Sequence, residues 1–275
     1  MGGLARRAAY IKDQTQEPTH VLNLDCGDFL SGGREIDSIK AEYLVKAFEQ
    51  LKLDAINVGE RDFMLGPQLL LDIKKKYDLP LISANVYYPD SAKRFLAPYI
   101  VRKFKGFKTD GLAMNSVSVG VFGVVVKRPV LVYSKFTPSL ITTDPFKETE
   151  RVLKELKGKC DVIIALAHLP SNELKDFQDR FPEIDLIIGG HSFYNEIVTD
   201  STGLAALVQT GSKGQYVGDI ELKLNKKNQL EQINAINKAI DIDMPLDPDL
   251  KILEEESDKA IRDYYESKTK IQHVN

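Results

Sequence analysis

The chain has 275 residues, 40 acidic against 37 basic side chains and a formal net charge of -3, and 43% of it is apolar. That length holds one large domain or two small ones, and the apolar share is ordinary for a globular fold. The slightly acidic balance argues against a nucleic-acid partner, which calls for a basic excess. No membrane span is expected: a bilayer needs about 18 consecutive apolar residues, and the longest run, near Val117 to Val126, is interrupted by Ser118, Gly120 and Gly123.

The opening segment, MGGLARRAAY, carries two arginines with no apolar stretch behind them, unlike a secretory signal. A first helix is expected over Leu4 to Gln14. The run VLNLD from Val21 reads as a buried strand ending in the turn CGDF, and a helix follows over Ile36 to Leu51. AINV is a second short strand, closed by GERDF. Leu65 to Lys76 reads as a helix, with Pro67 in its first turn and lysines at its end where they complement the helix dipole. LPLISANV is a third strand. From Phe95 to Lys127 apolar residues alternate among glycines without a helical period, which predicts antiparallel strands. Lys147 to Leu156 is helical. DVIIALAH is a strand ending at His168, and IDLIIGGH repeats that design to His191. LAALVQTG and YVGDIELKLN are two more strands, and from Pro245 the chain is charged and helical in character. The alternation predicts a layered α/β domain with mixed sheets over residues 1–244 and a helical extension over 245–275.

The informative side chains all follow predicted strands: Asp28, Glu60 with Arg61, His168 and His191. In open α/β sheets the crevice beyond the carboxyl ends of the strands is where ligands bind. Two imidazoles and two carboxylates together suit Zn, Mn or Fe. Gly27, Gly59, Gly189 and Gly190 are expected to let the backbone turn tightly there. A lone histidine is more often structural, and His20 and His273 are read so; His168 and His191 differ because they end matched strands. Cys26 is read either as a small residue at a strand end or as a thiol at the mouth of the site, a further ligand or a redox group. Cys160 reads as structural, and two cysteines make no disulfide framework.

The motifs VLNLDCGDF, DAINVGERDF, LPLISANV, VIIALAHLP and IDLIIGGHS, in this order, resemble the 5'-nucleotidase and UDP-sugar hydrolase branch of the calcineurin-like metallophosphoesterases. GGLARRAAYI is similar to the helix after that family's first metal motif, and ALVQTGSKGQYVGDIELKLN to the strand pair that closes its metal domain. The resemblance covers most of residues 2–225. It implies a four-layer α/β/β/α sandwich bearing two metal ions. Asp28 matches the aspartate that bridges them, His168 the single histidine after a strand, and His191 the first histidine of a Gly-His-x-His motif.

The departures from the family pattern are specific. No Asp-x-His precedes Leu4. Glu60 stands where the family has a metal-binding Asn, Arg61 where it has a catalytic His, and Phe193 where it has the second His of Gly-His-x-His. One metal site thus keeps only Asp28; the other keeps Asp28, His168 and His191, with Glu60 as a replacement ligand. The resemblance so implies one divalent transition metal and a hydrolase of small phosphate esters with weakened activity, in which Arg61 binds a phosphate or other anion. The alternative is an inactive metal- or thiol-dependent binding or redox protein on the same fold, with Arg61 merely bracing its loop by pairing with Asp62 or Glu60. The family's nucleotide-recognising domain is not in this chain, and its members' extracytoplasmic, periplasmic location is the one expected.

Overall fold

In a computed structural model that describes residues 2–15, 20–30, 32, 34–89, 91–106, 108–109, 112–113, 115–128, 139–198 and 206–272, the strand ends singled out above belong to two facing sheets. His273 lies outside the described residues. The smaller sheet is parallel. It comes from the first half of the chain, where α1 (Leu4–Gln14), β1 (Leu24–Asp25), α2 (Glu35–Leu51), β2 (Ala55–Asn57), α3 (Pro67–Lys76) and β3 (Leu81–Ile82) alternate. Its strand order is β1-β2-β3. Next come β4 (Val86–Tyr87), β5 (Tyr99–Phe104), β6 (Lys108–Thr109), β7 (Leu112–Ala113), β8 (Val117–Val125) and β9 (Ile141–Thr142). β4 pairs with β9, and β6 with β7. The remaining elements are α4 (Pro145–Leu156), β10 (Val162–His168), α5 (Ser171–Arg180), β11 (Leu186–Gly189), β12 (Asn195–Val198), β13 (Ala206–Thr210), the hairpin β14 (Tyr216–Leu224) with β15 (Leu230–Ala239), and α6 (Pro248–Gln272).

The larger sheet runs β12-β13-β11-β10-β8-β5. Its four inner strands are parallel, while β12 and β5 are antiparallel edges. The antiparallel expectation for Phe95 to Lys127 therefore holds for β5 against β8, but β8 pairs in parallel on its other side.

Alternation along the strands sets the layers. Val119, Val121, Ile164 and Leu166 point into one core with Ala55 and Ile82 of the small sheet. Their neighbours Phe122, Val124, Ala165 and Ala167 join another, with Val152 and Leu156 of α4, Phe177 of α5, and Ile56 and Leu81 backed by Val45, Phe48 and Leu70. Successive residues of a strand face opposite sides, so each sheet is buried on both faces and helices form the outer layers. This is the four-layer α/β/β/α sandwich that the resemblance implied, with the mixed sheets expected from the alternation. Asn57 ties the sheets together: its side-chain amide donates to the Val124 and Leu166 carbonyls at 2.8 and 2.9 Å. A Cβ on Gly123 would lie 2.3 Å from Asn57 Oδ1, so the glycine clears the way.

Local details depart from the expected boundaries for visible reasons. α4 begins at Pro145 because Asp144 accepts from the Phe146 and Lys147 amides at 2.9 and 3.2 Å, and proline fits a first helical turn. α5 was not anticipated; its segment SNELKDFQDR is mostly polar and buries only Leu174, Phe177 and Gln178. The C-terminal helix packs on α1 and α2. Glu254 accepts from the Ala5 amide at 3.0 Å, and Lys268 meets Glu35 at 2.8 Å.

Candidate metal centre

The four candidate ligands lie at or just beyond the ends of four strands. Asp28 sits in the turn after β1, Glu60 opens a 3-10 turn (Glu60–Phe63) after β2, His168 is the last residue of β10, and His191 follows β11. Asp28 and His191 have φ of 60° and 72°, a left-handed backbone that residues with a Cβ adopt at a cost of about 1–3 kcal/mol. Among the described residues, Lys52, Asp78, Lys213 and Asn228 share that backbone, so two of the six such non-glycine residues are candidate ligands.

Of the four glycines expected to ease tight turns, only Gly27 is left-handed, with φ 92°; a Cβ there would also lie 2.5 Å from the Gly59 amide. Gly59 is extended, and a Cβ on it would fall 2.1 Å from Asp28 Oδ1. One on Gly190 would lie 2.7 Å from His168 Nδ1. These two glycines give clearance to ligands rather than turning the chain.

The side chains converge. His168 Nε2 lies 3.3 Å from both Asp28 Oδ2 and Glu60 Oε2, and His191 Nδ1 lies 3.0 Å from Glu60 Oε1. The two imidazoles stand perpendicular, their centroids 5.3 Å apart. His168 Nδ1 faces the Cys26 carbonyl at 3.0 Å. A carbonyl can only accept, so Nδ1 carries a proton and Nε2 is the atom turned to the site. Glu60 Oε2, His168 Nε2 and His191 Nδ1 are buried without a well-directed hydrogen bond. Buried polar atoms are nearly always satisfied, and orphans call for an explanation. These same three residues offer ligand atoms within 4.8 Å of one another, a geometry fit for one cation. Asp28 flanks them through its contact with His168 but lies outside that mutual set.

Electrostatics describes the same site without an ion. Burial alone would lower the proton affinity of His168, but Asp28, Cys26 and Glu60 override it and push its pKa up to about 12. Burial would raise Glu60, yet His168 and His191 hold it well below the usual carboxylate range. A proton on His168 then supplies the positive charge that the carboxylates require.

For two residues at the site the sequence reading falls short: it gives Asp62 only as an ion-pair partner of Arg61, and it does not include Arg128. Asp62 is fully buried and accepts three backbone N–H groups: Asp28 and Gly59 at 2.9 and 2.8 Å on Oδ2, Leu30 at 2.7 Å on Oδ1. It joins the Asp28 loop to the Glu60 loop. Burial, and then the charge of Asp28, hold its carboxyl well above the ordinary range. Its one sequence signal is its position three residues after Gly59, where it caps its own turn. The other residue is Arg128, whose Nη2 lies 3.8 Å from Glu60 Oε1.

Arg61 is exposed, with Nε 3.8 Å from Asp28 Oδ2, while its backbone N–H donates to Asp28 Oδ1 at 2.9 Å. Its charged neighbour is Asp28, neither Asp62 nor Glu60. The Cys26 thiol donates to the Ile188 carbonyl at 3.2 Å and lies beside His168; burial pushes its pKa up, against the opposing pull of His168. Phe193 is 74% exposed. His20 stacks on Phe104 and bonds the Lys105 carbonyl, and Cys160 is a free cysteine.

Residues 1–194 match the calcineurin-like phosphoesterase family. The chain belongs to that family. It is 26% identical over 277 residues to snake venom 5'-nucleotidase of Crotalus adamanteus, covering 91% of this chain and 45% of the relative. It is also 26% identical to the trifunctional nucleotide phosphoesterase protein YfkN of Bacillus subtilis, covering 82% of this chain and 18% of that protein. The chain spans about half the length of the 5'-nucleotidases it matches, 45% and 46% for the Crotalus and Bos taurus proteins. Among solved structures, YfkN superposes with a TM-score of 0.79 at 22% identity, covering 96% of this chain and 90% of that one. The sulfate thiohydrolase SoxB of Thermus thermophilus gives 0.80 at 16% identity, covering 96% and 48%. At these identities the two structures speak for the fold. Calcineurin-like phosphoesterases use divalent metals, and in this metallophosphoesterase the group Glu60, His168 and His191 is fit to bind one.

Proposed function

We propose that this chain is a 5'-nucleotidase-like phosphoesterase that holds one divalent transition metal, Zn, Mn or Fe, on Asp28, Glu60, His168 and His191, and hydrolyses small phosphate esters weakly. The observation that carries the reading is the convergence of Glu60 Oε2, His168 Nε2 and His191 Nδ1, three buried atoms without well-directed hydrogen bonds. A divalent ion bound there supplies Lewis acidity to a phosphoryl oxygen.

The chain's own residues set the limits of the chemistry. The Cys26 carbonyl fixes the His168 tautomer and presents Nε2. Two carboxylates in the ligand group offset the charge of one ion, which reduces its pull on a substrate oxygen. Arg61 orients and neutralises a phosphate but, as a guanidinium, does not serve as a proton donor to a leaving group. Losing general-acid help of that kind lowers rate by about 10²- to 10⁴-fold. An extracytoplasmic location is part of the proposal, in keeping with the venom relative. The alternative, a thiol-dependent binding or redox protein, has less support, because the Cys26 thiol faces Ile188 and is held protonated.

The test is elemental analysis together with a phosphatase assay, using aryl phosphates and nucleotides across added Mn, Zn and Mg. One equivalent of metal and low turnover that disappears in Asp28→Asn is the expected result. Two equivalents, or robust turnover lost in Asp28→Asn, would restore an ordinary two-metal phosphoesterase and sink the reading.

A further inference from the structure

Arg128 belongs to no motif in the sequence, yet its backbone is fixed beside the metal centre. The residues after β8 continue its pairing with β10, the Val126 amide donating to the His168 carbonyl at 3.0 Å. Two residues on, Arg128 is locked to Thr142, itself 4% exposed: the Arg128 amide donates to Thr142 Oγ1, and the Arg128 carbonyl accepts from that hydroxyl at 3.1 Å. The guanidinium reaches back to 3.8 Å from Glu60 Oε1, with the side chain 50% exposed. Arg61 approaches Asp28 Oδ2 at the same 3.8 Å from a different loop, its side chain 58% exposed.

At that separation neither guanidinium closes a hydrogen bond to its carboxylate, although the Arg61 backbone N–H donates to Asp28 Oδ1. Each lies near enough to feel the charge, and among the described residues neither fork has a hydrogen-bond partner. We infer that Arg61 and Arg128 together form a clamp for a doubly charged tetrahedral oxyanion, the terminal phosphate of a monoester, and that Arg128 supplies charge a second metal ion would otherwise provide. The inference rests on the single-ion reading above. One divalent ion held by Asp28, Glu60 and two neutral imidazoles has no net charge left for a substrate. Two guanidinium groups balance a phosphomonoester dianion and overcompensate a singly charged diester. Guanidinium forks also match phosphate oxygens in pairs, which a lysine at either position would not do.

The experiment is calorimetric titration of the metal-loaded full chain with inorganic phosphate, phenyl phosphate and dimethyl phosphate, in the wild type, Arg128→Gln and Arg128→Lys. Metal affinity and stoichiometry are measured separately with the metal alone. Arg128→Gln is expected to weaken phosphate and phenyl phosphate binding by about 10- to 100-fold, the worth of a charge-assisted hydrogen bond. Arg128→Lys should recover only part of it, and dimethyl phosphate should bind weakly to all three proteins. Metal affinity should stay equal or rise in Arg128→Gln, because a cation near Glu60 is removed. Phosphate affinity within twofold of wild type, metal affinity falling in step, or binding of phosphate with exclusion of phenyl phosphate would each overturn the clamp. Two equivalents of metal would instead overturn the single-ion reading, while the effect of Arg128→Gln on phosphate still reports on Arg128.

Discussion

Asp62 offers the sharpest test of how the site is held. Its carboxylate accepts three amides from two loops, and two of those bonds are fully buried. Asp62→Asn keeps shape but leaves one oxygen. With that oxygen on the side that serves Asp28 and Gly59, the new amide group faces the Leu30 N–H, donor against donor. An unsatisfied buried donor costs about 1–3 kcal/mol, and the remaining bonds lose their charge assistance. Removing the carboxylate also relieves the burial and the Asp28 repulsion that raise its pKa, so the net loss for Asn should be about 1–2 kcal/mol. Asp62→Ala orphans all three amides, with water refilling part of the gap, and about 3–4 kcal/mol is expected. Because outer partners of metal ligands govern their orientation, metal affinity should fall about 10- to 100-fold in Ala and less in Asn. Denaturant unfolding with an unchanged slope, and metal competition against a chelator, measure the two series. An Asn variant as stable as wild type, or an Ala variant that is destabilised yet binds metal normally, would refute the account of Asp62 as the clamp between the loops.

Gly59→Ala should destabilise the chain and weaken metal binding together, because the new Cβ would fall 2.1 Å from Asp28 Oδ1 and 2.8 Å from the Asp28 backbone nitrogen, so the carboxylate and its turn must both shift; denaturant unfolding and metal titration together decide it. Metal affinity should rise by up to about tenfold per pH unit between pH 6 and 8, since the ion must displace the proton that His168 holds up to about pH 12, and calorimetry in buffers of different ionisation enthalpy should register proton release. The same raised pKa means that in the metal-free chain His168 contributes stability fully present below its ordinary value of 6.5 and lost as pH rises toward about 12. Cys26→Ala should leave metal affinity within about twofold, because the backbone carbonyl that orients His168 Nδ1 is kept; a loss above about tenfold would revive the thiol-ligand reading.

The readable parts of this site were those in which a residue acts where its own strand delivers it. His168 and His191 end apolar strands of matched design, and the alternation of strands and helices was enough to bring those ends to one edge. Asp28 and Glu60 were legible for the same reason. Asp62 and Asn57 were not, because each serves backbone atoms far away in sequence. Asp62 reaches amides 34 and 32 residues earlier, and Asn57 reaches carbonyls 67 and 109 residues later. Arg128 depends on a lock by Thr142 and a reach across the sheet, neither of which leaves a local pattern. Cys26 shows the converse: its side chain drew attention, while the backbone atom next to it orients the imidazole.

The clasp between the first and last helices bears on how the chain is made. α1 starts at Leu4, and its N-cap Gly3 offers no side-chain cap; the Ala5 amide is met by Glu254, 249 positions later, and Asp247 donates its amide to the Ala5 carbonyl at 2.9 Å. Ribosomes add about 5–20 residues per second, so α1 waits on the order of 10–50 s for the partner that satisfies its first turn. During that interval Ala5 and Ala8, fully buried in the finished fold, have no α6 to cover them. α1, made before the other elements described here, is therefore among the last of them to be fixed, and a ribosome stalled before Glu254 should present it to proteases with the sheets already formed behind it.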